Sequence, residues 1–203
     1  MMKALIFLAA LGASLTGCKT VVPTVVYRNN FESETVGDLP DDILILDGDF
    51  VVAEDGENRA VKLPGNPVRR FGFLVGPVMT GKGSINAHVR SEGRGRRYPQ
   101  FGVGLMGIRG VRLQVAPAKN AINLFLNNQV IASTEFNWKA GVWVELGLSV
   151  HGNLAMGNVH IDGAKPVTVS ARLPSPAPNG RASVWGTPYS GEPIWFDDLL
   201  LRD

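Results

Sequence analysis

The chain has one cysteine, Cys18, among its 203 residues. No disulfide can form within it, so the folded part depends on its core. Charge is sparse as well: 20 Lys and Arg stand against 18 Asp and Glu, and charged residues make up 19% of the chain. A balance this close to neutral lacks the basic excess that a phosphate backbone demands, which argues against nucleic acid as a partner. After residue 17 no apolar run approaches the roughly 20 residues that span a bilayer. No stretch beyond that point combines a helical period with caps. Catalytic signatures are missing too: no serine sits in a Gly-x-Ser-x-Gly turn. The three histidines, His88, His151 and His160, show neither metal-ligand nor triad spacing and read as solvated surface.

Short alternating runs fill the remaining chain. "SINAHVR" puts Ile85, Ala87 and Val89 on one face and Asn86, His88 and Arg90 on the other. "VRLQV" places Val111, Leu113 and Val115 inward, with Arg112 and Gln114 outward. "VWVELGLSV" alternates from Val142 to Val150, and shorter pieces recur at "AINLFL", "NVHID", "VTVSA" and "RASVW". The 24 glycines and 13 prolines fall largely between these runs. Period two, broken at short intervals by turn residues, predicts antiparallel sheets with one packed face. About a dozen strands and no internal repeat predict a single all-β domain, a sandwich or jelly roll.

The N-terminal stretch "MMKALIFLAALGASLTG" carries one charge, Lys3, before an apolar segment from Ala4 to Ala13. That segment is short for a membrane span and suits the apolar region of a secretory signal. "LTGC" (Leu15 to Cys18) follows, and it resembles the bacterial lipobox. The resemblance implies cleavage before Cys18, acylation of that cysteine and a membrane anchor of several acyl chains. Lys19 after the cysteine implies sorting to the outer membrane. The expected organisation is a signal over residues 1–17, a lipidated tether over 18–26 and one domain over 27–203.

"NNFESETVGDLP" (29–40), "DGDFVVAEDGENRAVKLPG" (47–65) and "IWFDDLLL" (194–201) are similar to segments of the concanavalin A-like lectin/glucanase superfamily. The resemblance implies a jelly-roll sandwich whose first and last strands lie side by side. On a regular last strand, Trp195, Asp197, Leu199 and Leu201 share one face and Phe196, Asp198 and Leu200 the other. Largely apolar faces predict a central strand, in which an aspartate needs a partner. In laminarinase-like relatives an aspartate on this strand binds a structural calcium, and the resemblance carries that role to Asp197, with Glu32 as the matching glutamate. Carboxylate and carbonyl oxygens suit Ca²⁺. The alternative is that Asp197 or Asp198 accepts backbone N–H bonds.

Catalytic β-glucanases of that superfamily carry Glu-x-Asp-x-x-Glu on one strand, and this chain has no such spacing. "AEDGE" (53–57) reads as a solvated loop, and Glu145 as a cross-strand pairing residue. Binding has more candidates. "RSEGRGRRYPQFG" (90–102) gathers Arg90, Arg94, Arg96 and Arg97 beside Tyr98, and "SVWGTPYSGEP" adds Trp185 and Tyr189. Arginine pairs with carboxylate, sulfate or phosphate, and an aromatic face stacks on sugars. The same residues can equally be a solvated loop tip and a core tryptophan. The expected ligand site lines one groove with Arg112, Gln114, Arg90, His88 and Trp185, for an extended acidic glycan. The leading expectation is a non-catalytic carbohydrate-binding module. A hydrolase or lyase of the same fold and a structural envelope protein are the alternatives.

Overall fold

The computed structural model describes residues 22–65, 69–175 and 177–203. Cys18 and the expected signal lie outside them. Fifteen strands follow in chain order among the described residues. They are β1 Val25–Asn29, β2 Leu44–Asp47, β3 Val51–Asp55, β4 Asn58–Leu63, β5 Phe71–Met79, β6 Lys82–Ser91, β7 Gln100–Leu105 and β8 Val111–Ala116. Then come β9 Ala121–Leu126, β10 Gln129–Glu135, β11 Val144–His151, β12 Leu154–Ile161, β13 Val167–Arg172, β14 Gly180–Thr187 and β15 Ile194–Arg202. Among the described residues the only helical element is a 3₁₀ turn, Pro117–Lys119. No helix there is long and apolar enough to cross a membrane.

All pairings between strands are antiparallel, and they form two sheets. The first runs β13-β12-β11-β6-β15-β4-β3, with β1 also on β15; the second runs β10-β9-β8-β7-β14-β5-β2. β6 shows why alternation makes a sandwich. Gly83, Ile85, Ala87, Val89 and Ser91 are buried, while Ser84, Asn86, His88 and Arg90 between them are only half-buried. Burying one face of each sheet against the other removes both apolar sides from water. Phe50, Phe73 and Phe196 meet in the middle: Phe50 stands edge-on to Phe73 at 5.1 Å, and Phe196 lies 6.2 and 6.4 Å from the two.

β1 and β15 lie side by side, as the resemblance implies. β1 begins at Val25, so the expected tether gives up its last two residues to the sheet. β15 is central: β6 flanks one side, while β4 and then β1 share the other. Its faces differ from the expectation, however. Asp197 pairs with His88 but Leu200 pairs with Asn86, so one extra residue is inserted between them. Asp198 takes φ 49°, the left-handed conformation that aspartate tolerates, and forms the bulge. Beyond it the alternation is reset. Ile194, Phe196, Leu199 and Leu201 are fully buried, whereas Trp195 and Leu200 are half-buried and Asp198 is exposed. The two adjacent aspartates thus mark an irregular step in a central strand. The "AEDGE" stretch also departs from a pure loop: Ala53, Glu54 and Asp55 finish β3, and the hairpin turns at Gly56, whose φ is 71°.

Candidate functional site

The outer face of the first sheet brings four titratable side chains into one cross-strand row. Register pairs His160 of β12 with Glu145 of β11, Glu145 with His88 of β6, and His88 with Asp197 of β15. Acid and imidazole therefore alternate, as favourable cross-strand pairs do. His88 Nδ1 lies 2.9 Å from Asp198 Oδ2, and since a carboxylate oxygen accepts, the imidazole N–H donates. Glu145 Oε1 accepts from Asn86 Nδ2 at 3.1 Å, and its Oε2 lies 3.7 Å from His160 Nδ1. This is the cross-strand pairing role expected of Glu145.

These side chains line a groove of about 470 Å³ together with Asn58, Trp143 and Asp162. A second hollow of about 300 Å³ shares His88, Glu145 and Asp198 with it and extends past Asn86 to Arg28 and Arg202. Trp143 and Trp195 flank the row above. The Arg90 guanidinium lies over both rings, 5.1 and 5.8 Å from their centroids, and Lys62 lies 5.2 Å from the Trp195 ring. Arg90 Nη2 also donates to Asp55 Oδ1 at 2.6 Å. Stacked and neutralised, Arg90 braces the wall of the groove and is not free to seize an anion.

Asp197, at the end of the row, is buried. Its Oδ2 accepts from Asn58 Nδ2 at 2.9 Å and its Oδ1 from the Asp198 backbone N–H at 2.6 Å. Burial pushes its carboxyl above the ordinary value; those two hydrogen bonds pull it back, and the charges of Asp198 and Glu32 push it up again. Glu32 is thus within electrostatic reach of Asp197, but its Oε1 accepts from the Arg59 N–H at 3.2 Å. Both Asp197 oxygens hold N–H donors, and one of them is a backbone N–H of the kind the alternative to calcium expects. Among the described residues no three His, Cys, Asp or Glu side chains gather as metal ligands. This donor set, as arranged, does not fit Ca²⁺, which takes about 6–8 oxygens.

The raised Asp197 carboxyl sets a pH dependence. A folded-state value above the unfolded one makes the ionised group a cost at neutral pH, a cost that disappears as pH falls through the folded value toward the ordinary 3.8. Asp197→Asn removes the charge and keeps an acceptor for the Asp198 N–H, while the Asn58 amide turns its oxygen to accept from the new NH2. It is expected to melt higher than the wild type at pH 7, with the gap closing by pH 3.5. Parallel thermal melts check this; a lower melting temperature at pH 7 would mean that the carboxylate's hydrogen bonds outweigh its desolvation.

The other expected binding residues scatter. Arg112 and Gln114 do lie opposite the core residues of β8, but β8 belongs to the second sheet and Arg90 and His88 to the first. The single groove expected for these residues does not exist. The 92–99 connection between β6 and β7 crosses from one sheet to the other, and alternation separates inside from outside without naming the sheet. Nor are Arg112 and Gln114 in water: only 7% and 5% of their surface is exposed. Gln114 Nε2 donates to Gln100 Oε1 at 2.8 Å. Trp185 sits beside Arg112 on the same outer face. Tyr98 stands edge-on to Trp138 at 6.4 Å, after a tight turn closed by mutual Arg94–Arg97 backbone bonds, and Tyr189 occupies the turn before β15. Neither tyrosine lines the groove.

A scan against family models and a search of curated proteins found no match. Solved structures do match, and they share the fold, a jelly-roll sandwich of the legume-lectin and galectin-like kind. A protein of unknown function with a galectin-like fold from Bacillus subtilis aligns over 89% of this chain and 98% of its own, at 10% identity and TM-score 0.62. The carbohydrate-binding module CBM66 from Bacillus subtilis aligns over 80% and 96%, at 12% identity and TM-score 0.57. The exoplasmic/lumenal domain of VIP36 in a Ca²⁺/Man-bound form aligns over 79% and 81%, at 10% identity and TM-score 0.56. At such identities the likeness is one of fold.

Proposed function

We propose that the chain is a non-catalytic carbohydrate-binding module that receives a glycan in the groove of the first sheet. The observation that carries this reading is the groove itself, where Trp143 stands beside Asn58, His88, Glu145, His160, Asp197 and Asp198. Sugars offer hydroxyls that donate and accept and ring faces that stack, and this set supplies counterparts to both. Mutual hydrogen bonds hold several of these side chains in place, so ligand binding orders few new rotamers. The fold shared with a protein described as a carbohydrate-binding module adds support. Calcium at Glu32 and Asp197 has no part in the proposal. A glycan array probed with residues 19–203 tests the reading: at least one saccharide should be retained, and less well by a His88→Ala variant. A blank array would sink it.

The anchor rests on the signal-like residues 1–17, "LTGC" and Lys19. In this reading acylated Cys18 tethers the module to the cell envelope at the outer membrane. Cys18→Ala should lose a metabolic lipid label, and retention of the label would remove the anchor.

One observation favours a second reading, an enzyme cleaving polysaccharide. The Asp198 carboxylate orients the His88 imidazole beside Glu145, an arrangement that can move a proton. Incubating each retained glycan with the protein and assaying new reducing ends or unsaturated products separates the two. No product is expected from a binding module.

A further inference from the structure

We infer that the outer face of the second sheet holds a separate site for an oxyanion (carboxylate, sulfate or phosphate) gripped by Arg112 and Arg70 over Trp185. The site begins with what β7 lacks. Its outward positions are Gln100, Gly102 and Gly104, and the glycines leave a bare track between β14 and β8. A Cβ at Gly102 would stand 2.9 Å from Trp185 Cζ2, and one at Gly104 would stand 3.0 Å from Arg112 Cγ. Trp185 from one neighbouring strand and Arg112 from the other therefore lie down against the sheet. The Arg112 guanidinium is 5.6 Å from the Trp185 ring centroid and 5.5 Å from that of Phe125, and Arg70 is 5.2 Å from Trp185.

Arg112 is buried, yet its one side-chain hydrogen bond goes to a neutral group, Asn128 Oδ1, at 2.6 Å. Every Asp and Glu of the chain is among the described residues, and none pairs with Arg112 or Arg70. A buried charge without a counterion is costly. Arg112 registers that cost: its pKa is pushed down to about 10, first by burial and then by the charge of Arg70. Trp185 Nε1 is buried beside it without a hydrogen-bond partner. Both arginines, Trp185 and Ser183 line a cavity of about 120 Å³. Asp47, the one acid on its rim, is paired with Arg69 at 3.0 Å. Two guanidinium forks, an indole N–H and a hydroxyl outnumber the acceptors beside them, Asn128 Oδ1 and the Asp47 carboxylate already paired with Arg69, and an oxyanion completes the set. The cavity has the volume of about four waters, room for an anionic group and a few attached atoms. This site lies on the opposite sheet from the glycan groove and does not rest on that reading.

Calorimetric titration of residues 19–203 with sulfate, phosphate, glucuronate and neutral glucose, at matched ionic strength, tests the proposal. At least one oxyanion should bind and glucose should not compete. Arg70→Ala should weaken that binding at least about tenfold, and Arg112→Gln should abolish it. Glucuronate binding would assign an acidic sugar, and binding of sulfate or phosphate alone a free inorganic anion. Without ligand, Arg112→Gln should melt no lower than the wild type, because it removes an uncompensated buried charge; a purely structural Arg112 would lower it. Absence of binding by all three anions, equal binding by glucose, or undiminished binding by Arg70→Ala would overturn the proposal. Arg70 is exposed, so that variant decides even if Arg112→Gln does not fold.

Discussion

Phe196→Ala is expected to lower the stability of the domain by about 3–5 kcal/mol, a large share of the roughly 5–15 kcal/mol that holds a typical domain together. Phe196 is fully buried and meets rings from both layers, Phe73 of β5 in the second sheet and Phe50 just before β3 of the first. Opposite it, β14 turns a glycine inward: a Cβ at Gly186 would stand 2.7 Å from Ile194 Cδ1 and 3.3 Å from Phe196 Cζ. The ring, with Ile194 and Leu63, thus fills space that the facing strand leaves empty. Urea denaturation should show a lower midpoint with an unchanged slope. Phe196→Leu, which keeps most of the volume, should cost less than about 1.5 kcal/mol. A loss below about 1 kcal/mol for the alanine variant would mean that the sheets collapse onto the gap.

The second large effect concerns affinity. Trp143→Ala is expected to weaken binding of the best glycan from the array by about thirtyfold, the equivalent of about 2 kcal/mol for a tryptophan anchor. Trp143 immediately precedes β11, half-buried, and among the described residues it is the one Trp, Tyr or Phe lining the groove. Arg90 stays paired with Asp55 and stacked on Trp195 when Trp143 is cut back, so the wall of the groove survives the substitution. Trp143→Phe should recover most of the affinity by restoring a stacking face. Calorimetry measures both variants. Binding by Trp143→Ala within twofold of the wild type would place the sugar elsewhere than this groove.

Much of the architecture was legible because the pleat of a strand is a local property. Alternation in "SINAHVR" and "VRLQV" separates core from outer face as the sandwich does. Two errors show where local periodicity stops. At Asp197 and Asp198 an inserted residue resets the period, so Leu199 and Leu201 end up on the Phe196 side. The signal was present as two small polar residues inside an apolar strand, but a bulge is defined by the partner strand. On β8 the outward direction was right and the inference of exposure was not. Arg112 is covered because glycines on β7 let aromatic and guanidinium groups lie flat, an effect that belongs to neighbouring strands.

By itself, then, the sequence determined what each residue's immediate neighbours dictate: an all-β domain without an internal disulfide, which face of each regular strand turns to the core, and a lipobox-like start. Only the tertiary structure decided which outward residues meet. His88 and Asp198 are 110 positions apart, Asn86 and Glu145 are 59 apart, and Asn58 and Asp197 are 139 apart. Those meetings depend on strand order and on which connections cross between sheets. The two sheets face the core with the same alternating pattern, so nothing in a single strand tells one from the other. Packing the strands together split Arg90 from Arg112 and built the row of acids and imidazoles that no stretch of the chain displays.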